Sequence, residues 1–332
     1  MSERIAVIGA GAWGTALSLL LAKKGCSVAL WVWDHEQAEI IRRSHENPFL
    51  PGFKFPDNIE IMTSMPAAVD GADAVIFVTI SSAASAVAAE LKKCLPPGLP
   101  VLSATKGLSG ETGLTISQTL AAILGNDNTI AALSGPNLSV EVAKGVPTAT
   151  VVACADEVIA RRFQSLLMYP TLRVYTNSDV VGVELAGALK NIIAIGAGIC
   201  DGLGFGDNTK AALLTRGLAE ITRLGMKIGA KQATFMGLAG IGDLMVTCCS
   251  QLSRNNRVGL ALGQGRKLDE ILRELGQVAE GVPTARAAHD LSKKLDIPMP
   301  ITEQVYQVLF EDKSPRAAVA ELMVREPKDE VW

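Results

Sequence analysis

The sequence predicts an α/β protein: a doubly wound, mainly parallel sheet followed by an all-helical C-terminal domain. Two observations carry this. Through about Asn177, short apolar β-branched runs alternate with helical patterns, whereas from Val180 to Phe310 the chain keeps the helical period and glycine-rich joints without a convincing strand. The charged end, 325–330, reads as a frayed tail. Strands that are apolar throughout and separated by helices belong to a parallel sheet covered on both faces. Right-handed crossovers then wind such a sheet outward on both sides.

In chain order, strands are expected at 5–8, 28–33, 59–62, 74–78, 101–104, 130–133, 148–152 and 172–175. Helices are expected between them at 12–24, 36–44, 83–94, 113–123 and 157–168. In the second half they fall at 182–199, 210–225, 259–264, 268–275, 284–295 and 301–310. A chain of 332 residues suits this two-domain division, with boundaries at 1–178 and 179–332.

Composition narrows the possible functions. Lys and Arg number 31 against 34 Asp and Glu, so no basic excess is available to neutralise a run of phosphates, and nucleic acid is not an expected partner. Aromatic residues make up 5%, which leaves little surface for stacking bases. Six cysteines at 26, 94, 154, 200, 248 and 249 form no CxxC pair, and the three histidines lie near none of them; no metal site or disulfide framework is expected. The start, MSERIAVIGAG, carries a charge pair and enters a strand at once, unlike a signal peptide. The apolar stretch 192–199 follows directly on Lys190, so stable membrane insertion is not expected and the protein reads as cytoplasmic.

The first chemical motif is Gly9-Ala10-Gly11-Ala12-Trp13-Gly14, between a buried strand and a helix. Gly9 permits the tight turn, Gly11 admits a pyrophosphate to the backbone, and Gly14 lets helix and strand pack closely. The helix start offers free N–H groups and a partial positive charge, so this half reads as a Rossmann-like dinucleotide-binding domain, with a purely structural glycine turn as the alternative. Trp13 either walls the site or packs on the sheet. Asp34 stands where an acid would hold the adenosine ribose 2′-OH, favouring NAD over NADP; it equally suits an N-cap of the next helix.

Further candidates gather at strand ends and on the helical half. Lys106 follows the strand at 101–104, and Ser134-Gly135-Pro136-Asn137 follows the next, where ligands collect in open α/β sheets; a solvated lysine and an ordinary turn are the alternatives. Lys190 has only Ala186, Gly187, Ile193 and Ala194 as helical neighbours, so it either snorkels to water or is desolvated toward a pKa suited to proton exchange. Asp243, after Gly240-Ile241-Gly242, has Thr247 one turn later on its face, and either caps a helix or orients a lysine. The cluster Ser253-Arg254-Asn255-Asn256-Arg257 suits a phosphate monoester or is a polar loop.

Together these segments resemble the bacterial NAD(P)-dependent glycerol-3-phosphate dehydrogenases across nearly the whole chain. The markers are GAGAWGTALS, Asn47 with Phe49-Leu50-Pro51-Gly52, Thr105-Lys106-Gly107-Leu108, Ser134-Gly135-Pro136, the run from Glu184 to Asn191, Gly240-Ile241-Gly242-Asp243-Leu244, Ser253-Arg254-Asn255 and Glu280-Gly281. The resemblance implies reversible reduction of dihydroxyacetone phosphate to sn-glycerol 3-phosphate with NADH or NADPH, feeding glycerophospholipid synthesis, in a homodimer. It implies Lys190 as proton carrier, Lys106 as a second lysine at substrate and cofactor, and Asp243 and Thr247 beside the reacting hydroxyl. Arg254 and Asn255 match the phosphate clamp, with Gly135, Asn137, Asn191 and Ser253 as further substrate contacts. Gly9, Gly11, Ala12, Trp13, Gly14, Trp33, Asp34, Lys106, Ser139, Arg254, Val278 and Glu280 match cofactor positions.

The chain departs from that pattern at Ala12 (usually Ser), Asn137 (usually Ser or Thr), Ser139 (usually Ala) and Trp33 (usually basic). The last departure sets NADP preference in doubt. Two rival readings remain: a hydroxy-acid or sugar-acid dehydrogenase of the same architecture, which needs no phosphate on its substrate, and a non-catalytic dinucleotide sensor, which needs no Lys190, Asp243 and Arg254 together.

Overall fold

The computed structural model describes residues 2–110, 112–125, 127–327 and 329–330. Its strands are β1 (Arg4–Ile8), β2 (Ser27–Trp31), β3 (Glu46–Asn47), β4 (Leu50–Lys54), β5 (Ile59–Met62), β6 (Ala74–Phe77), β7 (Val101–Ser103), β8 (Ile130–Ser134), β9 (Thr148–Ala153) and β10 (Leu172–Asn177). Eight form one sheet in the order β10-β9-β8-β7-β6-β1-β2-β5. The order in which strands are added reverses between β1 and β6, and this switch point opens the crevice where such sheets bind ligands, at the strands' carboxyl ends. All eight strands expected from the sequence are in this sheet.

Three features differ from expectation. β8 and β9 pair antiparallel, Leu133 opposite Val152, while the other sheet pairs are parallel. Only the short helix Ser139–Lys144 separates these strands, so no long crossover returns the chain to the same direction. β3 and β4 form a separate antiparallel pair around Phe49, too short to show an alternating pattern. The second strand stops at Trp31, which leaves Trp33 outside the ladder and 66% exposed.

The sheet is buried by helices on both faces. Ala12–Lys23 is buried from Gly14 to Ala22, which is why its apolar residues run all round rather than forming a stripe. From Val180 onward the chain is helical, built around Val180–Gly202. By length and composition this 23-residue helix is apolar enough to cross a bilayer, but 89% of its most apolar window is buried inside the protein, and Glu184 and Lys190 interrupt it. It is the hub of the helical core. Arg254–Gly263 packs on it backbone to backbone: a Cβ on Gly198 would lie 2.0 Å from the Asn256 carbonyl oxygen, and one on Gly259 would lie 2.0 Å from that of Ile195. This contact seats the start of Arg254–Gly263 against the hub helix that carries Lys190.

Candidate active site

The glycine turn behaves as the motif requires. Gly9 has φ 124°, and a Cβ there would stand 2.5 Å from the Val78 carbonyl oxygen. A Cβ on Gly14 would sit 2.0 Å from the Gly9 carbonyl oxygen. Gly11, the N-cap of Ala12–Lys23, faces open space, and no side chain caps that helix start. Unclaimed donors beside a gap that a side chain would fill fit a dinucleotide's diphosphate. Trp13 packs on the sheet core, and its indole N–H meets no acceptor among the described residues.

Asp34 caps the helix His35–Ser44, its Oδ1 accepting from Glu36 N at 2.8 Å and Gln37 N at 3.4 Å. The capping alternative is therefore realised, through one carboxylate oxygen. Ser139 opens the helix Ser139–Lys144.

Lys190 does not snorkel. It is 5% exposed, and its Nζ donates to Asp243 Oδ1 and Thr247 Oγ1, both at 2.5 Å. The acid missing from its own helix face comes from Asp243–Cys249, a helix entered through the π-turn Leu238–Gly242. Asp243 does not cap that helix with its side chain; the carboxylate is committed to lysines. Its Oδ2 accepts from Lys106 Nζ at 2.8 Å. Lys106 also donates to the Gly135 carbonyl oxygen at 2.9 Å and Asn137 Oδ1 at 2.7 Å. Burial pushes the Lys106 ammonium down to about 8; Asp243 opposes that shift and Lys190 adds to it.

Asn137 has a clear job in this arrangement. While its Oδ1 holds Lys106, its Nδ2 donates to Thr150 Oγ1 at 3.3 Å, and that hydroxyl donates to the Ser134 carbonyl oxygen at 2.9 Å. A Cβ on Gly135, at φ 137°, would meet Thr150 Cα at 3.0 Å. Gly187 makes room for the same turn, since a Cβ there would lie 2.2 Å from Ser134 Oγ.

The polar cluster at 253–257 begins a helix rather than forming a loop. Ser253 is the N-cap of Arg254–Gly263, accepting from Asn256 N at 3.2 Å. Asn255 is buried and accepts from Gly281 N at 2.9 Å. A Cβ on Gly281 would come 2.7 Å from the Asn191 carbonyl oxygen, which places Asn255 and Asn191 at one junction. Arg254 is exposed at the helix start, with its guanidinium 3.4 Å from Gln277 Oε1. Val278 is half-buried in the segment between Gln277 and Glu280.

Glu280 joins the two lobes. Its carboxylate accepts from Ser81 N at 3.0 Å and from Ser81 Oγ, and burial pushes the carboxyl up from the usual glutamate range. Gly107 fits beneath, for a Cβ there would be 2.5 Å from Ser81 Cβ. Ser81 and Thr150 are the site residues that sequence reasoning missed. Thr150 is a β9 residue inside an apolar run, and Ser81 stands 199 positions from its partner. The one available signal was position: Ser81 follows β6 at the switch point.

A glycine turn under an open helix start, beside a crevice floored by two lysines on one carboxylate, defines a dinucleotide-dependent oxidoreductase. The models of the NAD-dependent glycerol-3-phosphate dehydrogenase N-terminus and C-terminus match residues 4–160 and 179–320. The chain belongs to this family. It is 50% identical over 335 residues to glycerol-3-phosphate dehydrogenase [NAD(P)+] of Geobacter sulfurreducens, covering 100% of each chain. It is 51% identical to the enzyme of that name from Pelotomaculum thermopropionicum, covering 98% of this chain and 94% of the relative. The crystal structure of glycerol-3-phosphate dehydrogenase from Coxiella burnetii superimposes with a TM-score of 0.95 at 39% identity, covering 98% of this chain and 99% of that one.

Proposed function

We propose that the chain interconverts dihydroxyacetone phosphate and sn-glycerol 3-phosphate with NAD(H) or NADP(H). The observation that carries this reading is the pair of ammonium groups on Asp243, one from each lobe. Gly9, Gly11, Ala12, Trp13 and Gly14 hold the dinucleotide's diphosphate end, with Trp33, Asp34, Ser139, Val278 and Glu280 along its length. The nicotinamide, when bound, supplies the hydride.

The protein's own groups handle charge and protons. Arg254 with Ser253 and Asn255 fixes the substrate phosphate, and Gly135, Asn137 and Asn191 shape the floor. Orientation of this kind lowers barriers by up to ~7–11 kcal/mol in ideal cases. Lys190 donates a proton to the carbonyl oxygen as negative charge develops there, and takes it back in the reverse direction. Thr247 and Asp243 hold Lys190 Nζ in place, while Lys106 adds a second positive charge at the same oxygen. A site with two cations and one anion retains a net positive charge, which favours a substrate carrying a phosphate and a reaction that builds an alkoxide.

In this reading residues 1–178 bind the cofactor and residues 179–332 the substrate. The enzyme acts in the cytoplasm as a homodimer and feeds glycerophospholipid synthesis. The discriminating experiment follows reduced-nicotinamide absorbance with dihydroxyacetone phosphate and, in parallel, unphosphorylated dihydroxyacetone. Turnover of the phosphorylated ketone alone supports the reading. Equal turnover of both, or of neither, overturns it.

A further inference from the structure

Ser134 carries a hydroxyl that the rest of the site does not use. The residue is 2% exposed, and its Oγ meets no hydrogen-bond partner among the described residues. A buried polar atom without a partner is a cost that alanine would avoid, so a serine here calls for a reason. Its surroundings supply one. Ser134 ends β8, and a Cβ on Gly187 of the hub helix would come within 2.2 Å of its Oγ. That Cβ would also stand 3.3 Å from Ser134 Cβ and 3.9 Å from Lys106 Cδ.

Gly187 lies three positions before Lys190, so the two are neighbours on one face of the hub helix. The hydroxyl rests on that face. The next residue along the turn serves the other lysine: the Gly135 carbonyl oxygen accepts from Lys106 Nζ at 2.9 Å. The Ser134 carbonyl oxygen is in turn held by Thr150 Oγ1 at 2.9 Å, and Thr150 belongs to β9, so the sheet braces the turn. One dipeptide therefore touches the helix of Lys190 with its first residue and the ammonium of Lys106 with its second.

We propose that Ser134 is a positioning residue: its hydroxyl, seated on Gly187, sets how closely the hub helix meets the sheet, and so where Lys190 stands against Lys106 and the substrate carbonyl. This deepens, and rests on, the reading of the two lysines as the cations at the reacting oxygen. Their contacts with Asp243, at 2.5 and 2.8 Å, leave little slack. A misplacement of ~1 Å between reacting groups can cost ~10²-fold in rate. The phosphate clamp does not share that loss, because Arg254–Gly263 packs on the hub helix backbone to backbone and moves with it.

Steady-state reduction of dihydroxyacetone phosphate and NADH titration of the full chain and its variants test this, with thermal melts taken alongside to separate a lost fold from a misplaced helix. Gly187→Ala should lower kcat by ~10–100-fold while KM and the NADH Kd stay within about threefold. Adding Ser134→Ala to that variant exchanges hydroxyl for methyl across the contact, and should return kcat to within about fivefold of the unsubstituted chain. Ser134→Thr crowds the contact from the strand side and should show the same fall in kcat at constant KM, so the test does not depend on how well Gly187→Ala folds. Unchanged kcat in Gly187→Ala, a double variant no more active than Gly187→Ala, or a KM that rises as steeply as kcat falls overturns the proposal and leaves the two lysines in their roles. An unsubstituted chain that does not reduce dihydroxyacetone phosphate overturns the two-lysine reading itself.

Discussion

The carboxylate of Asp243 is shared between Lys190, at 2.5 Å, and Lys106, at 2.8 Å. One lysine comes from the hub helix of the helical lobe and the other from the loop after β7, so the carboxylate is a tie between lobes as well as a charge partner. Asp243→Asn leaves the buried Lys190 and the part-buried Lys106 without their anion, and a broken buried pair typically costs ~3–5 kcal/mol. Turnover should collapse and the melting temperature should fall. Calorimetry and steady-state kinetics on the same preparation check both.

The shifted lysine makes a pH prediction. A Lys106 pKa of about 8 means that its positive charge is present below that pH and lost above it. kcat/KM for ketone reduction should therefore decline on the alkaline side of about pH 8. Lys106→Arg, which keeps its charge, should remove that limb. In Asp243→Asn, any residual activity should decline at lower pH, because the carboxylate raises the Lys106 pKa.

Arg254 separates substrate capture from proton transfer. Hydrogen bonds to charged groups contribute ~1.5–3 kcal/mol, so Arg254→Ala should raise KM for dihydroxyacetone phosphate by ~10–100-fold. The smaller effect should be on kcat. An unchanged KM would remove the clamp from the account.

Much of the fold was legible because apolar runs mark the inner strands, while the edge strands β5 and β10 show instead an exposed charge, Glu60 or Arg173, between apolar residues. Direction was less so: nothing in the residues of β9 encodes that it runs against β8. The start of Arg254–Gly263 was obscured by Asn255 and Asn256, polar residues that are buried because their amides bond Gly281 N and the Cys248 carbonyl oxygen. Lys190 stood out as a lone charge on an apolar helix. Its partnership with Asp243, 53 residues away, is a product of folding that no local spacing displays.

Stability carries its own pH signature, away from the site. Glu220 is buried and accepts from Ile301 N at 2.8 Å and Thr302 N at 3.2 Å at the start of Pro300–Phe310. Burial pushes its carboxyl up from 4.5 to about 7. A raised folded pKa means the proton's stabilisation is complete below the unfolded value and is lost as pH rises through the folded one. Stability should fall by up to ~3 kcal/mol between about pH 5 and pH 8, and Glu220→Gln should flatten that slope in urea titrations.

The central claim is that Lys190 carries the proton. Single-turnover reduction of dihydroxyacetone phosphate by enzyme preloaded with NADH measures that step apart from product release. Lys190→Ala should slow it by ~10²–10⁴-fold while NADH still binds. A rate within a few-fold of the unsubstituted enzyme would contradict the account.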